Sequence, residues 1–579
     1  MTELVMDEKY TSRGSSWSRQ KDLRPKNHLI VALFIMCCYL SFYGWSGISQ
    51  AKDGPNYFEY SDENINWKPC NNSNSLPLEC SSIKVPIDQF DLEHPRNETF
   101  IIPLIRMRGI NATQNLFLNP GGPGASGFDL LHRRGEQLKA IIGEGFHLVS
   151  FDPRGVNNSV PRASCYPDER TRQELSRVRS LDVLSDSPEV FAWAKNFIQA
   201  CPDTMGEYAK YLNTPQTAAD MNDILDALGQ EDMIYWGFSY GSLLGQTYAG
   251  LFPERSKRII IDGVIDQFDW YGGLFEAQSL VDTDMVLDGF FEECVKSGPE
   301  RCPLARMAAT KKELRGKVLS SMTVLQDQPI SVYINKSIHG LLDYEKLWFN
   351  GVFPALHKPS MWSELAHNMY NVFQGNATDA FLAYGNQEAQ KWRHEAFEFI
   401  TLNDGISGPE HWPQDRQTFL DKIAPLFNLS LFSPVQSKNY YLRQQWTVSR
   451  THSYVPRKNM KTAHPLLILS TTYDPVCPLI AAKTANEAFE GSKIVEVSGY
   501  GHCSIAVPSL CLAKYVRAFL YEGRLPHTYT QCEVDSPYFH ESDKSGQSSP
   551  QRVFEDTEEA EIHLAQVLLA DGWDFASAN

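Results

Sequence analysis

Gly237-Phe238-Ser239-Tyr240-Gly241 places a serine between two glycines, with the apolar run MIYW before it and SLLGQTYAGLF after it. That order predicts a strand, a sharp turn and a helix, with Gly237 and Gly241 leaving room where side chains would obstruct a strained nucleophile turn. The pattern alone arises by chance in roughly one chain in five of this length. Its meaning therefore depends on what else the sequence brings to the same place.

A serine hydroxyl is a weak nucleophile at neutral pH. It needs an imidazole to take its proton and a carboxylate to orient that imidazole. Asp474 follows the predicted strand PLLILS (465–470), and His502 follows KIVEVS (493–498). Both fall at the carboxyl ends of late strands, beside the point where Ser239 emerges. The chemistry also needs backbone N–H groups aimed at a developing oxyanion. The glycine loop Asn119–Gly127 follows the strand NLFLN (115–119), and the expected donors are the amides of Gly122 and Tyr240. Gly122, Gly124 and Gly127 also spell G-x-G-x-x-G. A dinucleotide loop, however, should open the first strand–helix–strand unit, and here strands precede it. No H-E-x-x-H, no G-x-x-x-x-G-K-[ST] and no paired C-x-x-C occurs, so neither metal nor cofactor is expected.

Around these residues the pattern is α/β. SSIKVPIDQF and TFIIPLIRM read as early strands, FHLVSF (146–151), MIYWG (233–237) and RIIID (258–262) as buried parallel ones, with helices between. From 270 to 456 the chain becomes helical and acidic-aromatic, which predicts a helical cap inserted into the core. The predicted organisation is a core from 64 to 269, the cap at 270–456, a second core portion at 457–536 and a polar, acidic tail at 537–579. Within the tail, EEAEIHLAQVLL predicts one amphipathic helix lying on the domain surface.

Compartment is read from the other end. Residues 29–48 open with the uncharged run LIVALFIMCCYLSFY, preceded by Arg13, Arg19, Lys21, Arg24 and Lys26. The charge bias keeps 1–28 in the cytosol and sends the remainder across the membrane. The run fits a retained signal anchor or a signal cleaved near Ser49-Gln50-Ala51, and the long charged leader favours the anchor. Sequons at Asn71, Asn97, Asn111, Asn157, Asn335, Asn376 and Asn428 all follow it, as acceptors of N-glycans. So do ten of the twelve cysteines. Local spacing suggests Cys70 with Cys80, Cys165 with Cys201, Cys294 with Cys302, Cys511 with Cys532, and Cys477 with Cys503 as a fifth candidate. The formal net charge of −17 speaks against a nucleic-acid partner.

NPGGPGASG, FDPRGVNNS, GFSYGSLLGQTYAGLFP, DPVCP and GHCS together resemble the tripeptidyl-aminopeptidase-like branch of the proline iminopeptidase family, from about Trp67 to Asp535. The resemblance implies an α/β-hydrolase fold with an inserted cap and a serine exopeptidase releasing residues or short peptides from free N-termini. It also implies a fungal-type secreted or vacuolar relative, and with the apolar run this gives a catalytic domain that is luminal, vacuolar or extracellular. Two positions depart from the family pattern. Asn157-Asn158-Ser159 stands where relatives read closer to G-V-G-x-S, and Cys477 where they commonly carry Thr. An aminopeptidase also needs an anion for the substrate's α-ammonium, and Glu276, Asp282, Asp284, Glu292 and Glu293 are the cap carboxylates considered. The alternative is an esterase or lactonase, because a triad provides acyl chemistry and the cap selects the acyl group.

Overall fold

The computed structural model describes residues 63–70, 77–91, 97–110, 112–385, 395–539, 554 and 556–573. The predicted leader (1–28), the apolar segment (29–48), Asn71 and Asn111 lie outside the described residues. No described helix is long and apolar enough to cross a membrane.

The central sheet contains β1 (Lys68–Pro69), β2 (Leu78–Pro86), β3 (Thr99–Met107), β4 (Gln114–Asn119), β5 (Phe146–Phe151), β6 (Met233–Phe238) and β7 (Ser256–Asp262). A hairpin of β8 (Ile330–Asn335) and β9 (Ile338–Leu342) stands apart, and β10 (Leu467–Tyr473), β11 (Lys493–Tyr500) and β12 (Thr530–Glu533) complete the sheet. The sheet order is β1-β2-β3-β5-β4-β6-β7-β10-β11-β12. Pairing is antiparallel from β1 to β5 and parallel from β5 to β12. Every residue of β5 and β6 is buried, as a parallel sheet covered on both faces demands.

Alternate side chains supply the two layers. Leu116, Leu118, Leu148, Trp236, Ile260 and Leu469 pack against the helices Gly127–Ile142, Leu510–Glu522 and Thr557–Gly572. Phe117, Val149, Tyr235, Ile259, Ile261 and Ile468 face the opposite layer, which includes the helix Tyr240–Leu251. The tail helix is more deeply placed than a surface amphipath. Ile562, Leu569 and Trp573 join the core, with the Trp573 ring 4.9 Å from that of Phe238.

The inserted stretch packs in two parts. Residues between Val286 and Tyr384 build a separate apolar cluster with Phe432 and Phe539. The stretch from Ala396 to Trp446 instead shares the core cluster with Trp270 and with the helix Ser187–Met205. The β8–β9 hairpin, which the sequence reading passed over, is mostly exposed, so its strands lack the apolar alternation that marks a buried one.

Disulfides join Cys70 to Cys80, Cys165 to Cys201, Cys294 to Cys302 and Cys511 to Cys532, placing the folded domain in an oxidising compartment. The fifth pairing is corrected. Cys477 and Cys503 are free, buried thiols, and their sulfurs are turned to other partners in the site described next.

Candidate active site

Ser239 ends β6 at φ 56°, ψ −122°, a conformation that costs an L-residue energy and persists only where its neighbours enforce it. Its N–H donates to the Asp262 carbonyl at 2.8 Å, and its carbonyl accepts the Ser242 N–H at 2.8 Å. A Cβ on Gly237 would lie 2.3 Å from the Gly241 carbonyl oxygen, and one on Gly241 would lie 2.8 Å from the Asn119 carbonyl oxygen. Neither position has room for a side chain. Ser239 as a residue is 9% exposed, so it is sheltered without being fully enclosed.

The structure brings Asp474 and His502 together. His502 Nδ1 stands 2.9 Å from both carboxylate oxygens of the fully buried Asp474. Oδ1 of Asp474 also accepts the N–H groups of Val476 and Cys477, and Oδ2 accepts that of Cys503. A carboxylate facing Nδ1 favours the tautomer with hydrogen there, which leaves Nε2 as the basic nitrogen. The cap reaches the same loop. The His502 N–H donates to the His357 carbonyl at 2.9 Å, and the two imidazole rings meet edge to face at 5.7 Å.

The free thiols fill the remaining space. Cys503 Sγ lies 3.6 Å from the Asp262 carbonyl oxygen and 3.8 Å from His502 Nε2. Burial pushes the Cys477 thiol well above its ordinary range, and the charges of Asp474 and Asp262 add to this, while a hydrogen bond with Ser239 opposes it. Donor atoms of Asp474, Cys477 and His502 lie within 4.8 Å of one another, a spacing open to a metal ion. The carboxylate oxygens of that group are already committed to the imidazole and to backbone amides.

The glycine loop passes directly over the turn. Gly121, Gly122 and Gly124 all have φ near 100°, which favours glycine, and a Cβ on Gly121 would meet Ser239 Cβ at 2.9 Å and the Tyr240 nitrogen at 3.1 Å. Beyond it, Tyr240 Oη is hydrogen-bonded to Thr214 Oγ1 at 2.7 Å. Thr214 donates its N–H and its hydroxyl to Asp404 at 2.9 and 2.5 Å, and Trp270 Nε1 donates to the same carboxylate at 2.9 Å. The residue after Ser239 is thereby tethered to a fully buried cap carboxylate.

Burial pushes Asp404 up to about 6, against the opposing hydrogen bonds from Thr214 and Trp270. A carboxyl group that holds its proton more tightly folded than unfolded contributes stability below its unfolded value, and that contribution is lost as pH rises through about 6. The melting temperature is expected to fall between pH 5 and 7.5 more steeply in the natural protein than in Asp404→Asn. Equal slopes in a thermal-shift titration contradict this.

Asn97, Asn335, Asn376 and Asn428 are exposed. Asn157 is half-buried, and its Nδ2, the atom that carries a glycan, donates to Ser126 Oγ and to Asp152 Oδ2, each at 3.0 Å. A glycan replaces one of those N–H groups, so the folded geometry argues against Asn157 as an acceptor.

Most of the cap carboxylates considered from sequence are engaged elsewhere. Glu276 pairs with Arg443 through Oε1 while its Oε2 is buried without a hydrogen-bond partner among the described residues, Glu292 pairs with Lys311 and Glu293 with Lys296, and Asp284 accepts Ser430 and Leu431. Asp282 does feel the charge of Asp474. Sequence reasoning missed Glu395 and Glu398. They flank Ala396 and Phe397, which cover the glycine loop at 3.6 and 3.7 Å from a Cβ placed on Gly124. Glu395 is satisfied by Arg172 Nε and the Cys165 N–H. Glu398 has Lys438 at 3.3 Å on Oε1, but among the described residues its Oε2 is buried without a hydrogen-bond partner, as is the hydroxyl of Tyr166. The charges of Glu395 and Glu398 both act on that hydroxyl, so the three groups are neighbours.

Fold and site define an α/β hydrolase. The model of the α/β hydrolase fold family matches residues 114–293, and that of TAP-like proteins matches 429–532. The serine protease Hip1 of Mycobacterium tuberculosis is 26% identical over 529 residues, covering 87% of this chain and 96% of its own. Tripeptidyl aminopeptidase of Streptomyces lividans is 23% identical over 485 residues (79% and 85% of the two chains). Carboxylesterase B of Mycobacterium tuberculosis is 24% identical over 488 residues (80% and 89%). The chain is a TAP-like α/β hydrolase, an enzyme of the serine-hydrolase kind.

Proposed function

We propose that the chain is a serine exopeptidase that removes residues or short peptides from free N-termini through an acyl-enzyme on Ser239. The observation that carries the catalytic part is the strained Ser239 turn, hydrogen-bonded to Cys477 in the Asp474 loop, together with the Asp474–His502 pair at 2.9 Å. His502 Nε2 takes the Ser239 proton as Oγ attacks the peptide carbonyl, and Asp474 stabilises the imidazolium. The amides of Gly122 and Tyr240 receive the oxyanion. His502 then protonates the leaving amine, and water, deprotonated by the same nitrogen, releases the N-terminal fragment.

The exopeptidase part is supported by the similarity to the Streptomyces tripeptidyl aminopeptidase and by the Oε2 of Glu398, which has no partner among the described residues, beside Tyr166. A buried carboxylate oxygen lacking donors is costly alone, and an α-ammonium brings three N–H donors and the opposite charge. Its position relative to Ser239 sets how many residues are released. The apolar run at 29–48 supports a single-pass anchor with the catalytic domain luminal or extracellular, or secretion after cleavage.

Carboxylesterase B among the relatives favours keeping an esterase reading in view. A panel of aminoacyl and tripeptidyl amides against short-chain esters separates the two. Amide turnover is expected, and turnover of esters alone overturns the peptidase reading.

A further inference from the structure

Asp262 closes β7 and is fully buried, yet the reaction above gives it no part. Its backbone carbonyl accepts the Ser239 N–H at 2.8 Å. Its carboxylate reaches the other half of the site. Oδ1 accepts the Ser504 N–H at 2.7 Å, and Oδ2 accepts the Ser504 hydroxyl at 2.6 Å and Trp236 Nε1 at 3.3 Å. Ser504 stands two residues after His502, across Cys503, whose φ of 62° lies in the left-handed region. The amide of Cys503 is held by Asp474 and that of Ser504 by Asp262. The histidine turn is thus strained, and two carboxylates pin it, one of which also fixes the nucleophile's backbone.

We propose that Asp262 is a positioning residue for proton transfer between Ser239 and His502, holding in register the two turns that carry them. The proposal rests on the serine-hydrolase reading. The ionised carboxylate accepts Ser504 twice and Trp236 once. Once protonated, it puts a hydrogen among these donors, so that either the Ser504 hydroxyl turns round to accept it or one donor is released, and the charge-assisted contacts that pin the turn are weakened. The groups facing Asp262 are Trp236 from β6, Cys503 and Ser504 from the histidine turn, and Asp474 and Cys477 from the loop after β10. Burial, with a smaller contribution from the Asp474 charge, pushes Asp262 up to about 6 against the pull of Ser504 and Trp236. Activity therefore has a reason to fall on acidification that lies outside the imidazole: the contacts pinning the histidine turn weaken as Asp262 takes up a proton.

The test compares the natural protein with Asp262→Asn and Ser504→Ala, with kcat and KM measured from pH 4.5 to 8.5. Active sites are counted with a fluorophosphonate, so that misfolded molecules do not enter the rate. For Asp262→Asn the expected result at pH 7.5 is a loss of about 10- to 100-fold in kcat per labelled site with KM little changed. The acid limb of log kcat/KM should also become shallower, because the Asp262 titration no longer contributes to it. Ser504→Ala, which removes a donor that favours the ionised form, is expected to move the acid limb to higher pH. Wild-type kcat per site and an unchanged acid limb in Asp262→Asn overturn the proposal. If that variant does not fold, an unshifted limb in Ser504→Ala overturns it instead. A natural protein that neither takes the label nor turns over any substrate contradicts the hydrolase reading itself, and the proposal falls with it.

Discussion

Replacing Asp474 with asparagine is expected to lower kcat by about 10,000-fold with the fold retained. The carboxamide can keep its oxygen toward the amides of Val476 and Cys477, which Oδ1 of Asp474 already accepts at 2.9 and 2.8 Å. Its NH2 group then faces His502 Nδ1, where the carboxylate now stands at 2.9 Å. Two donors cannot share that contact, so the imidazole either keeps its Nδ1 hydrogen on the amide oxygen, also 2.9 Å away but without the charge that stabilises an imidazolium, or moves it to Nε2 and presents a donor to a hydroxyl that needs an acceptor. Steady-state rates on an amide substrate, beside a thermal melt to verify folding, check the expectation. A variant within tenfold of the natural rate contradicts the assignment of Asp474.

Glu398→Gln is expected to lower kcat/KM for substrates with a free α-ammonium by about 100-fold, or roughly 3 kcal/mol, while leaving a small uncharged ester unaffected. The reason lies in its surroundings. Oε2 of Glu398 is buried without a donor, the Tyr166 hydroxyl beside it is likewise unpartnered, and Lys438 reaches only the other oxygen, at 3.3 Å. An ammonium placed there exchanges water for a buried opposite charge, and a neutral glutamine gives that ammonium far less. The ratio of the two substrates is the readout, because a general loss of folding lowers both alike. Equal loss on both, or none on either, removes Glu398 from the specificity argument.

Much of this site was legible before any coordinates, and for a physical reason. A nucleophile turn demands glycine at 237 and 241, a parallel sheet demands continuous apolar runs, and a triad demands an acid and a histidine after late strands. Each leaves a local mark, and β5 (Phe146–Phe151) falls on its predicted span without adjustment. What remained hidden depends on contacts distant in sequence. Glu395 and Glu398 sit one turn apart in EAFEFI, a spacing shared by countless solvated helices, and only packing over Gly124 distinguishes them. Asp262 reads as the polar end of a strand, since its partner Ser504 lies far along the chain. Cys477 and Cys503 lie three residues or fewer from Asp474 and His502 respectively, which makes a bond between them plausible on spacing. Burial beside Ser239 and the Asp262 carbonyl leaves them as thiols instead. The division of the inserted stretch into a separate cluster and a part sharing the core likewise arises from tertiary packing, which a helical period does not reveal.

The most direct test of the account is mass spectrometry of the products from one peptide offered with a free and with an acetylated N-terminus, using the natural protein and Ser239→Ala. Short fragments from the N-terminus of the free peptide alone, and none with Ser239→Ala, are predicted. Equal cleavage of the two forms, cuts confined to internal bonds, or undiminished cleavage by Ser239→Ala contradicts it.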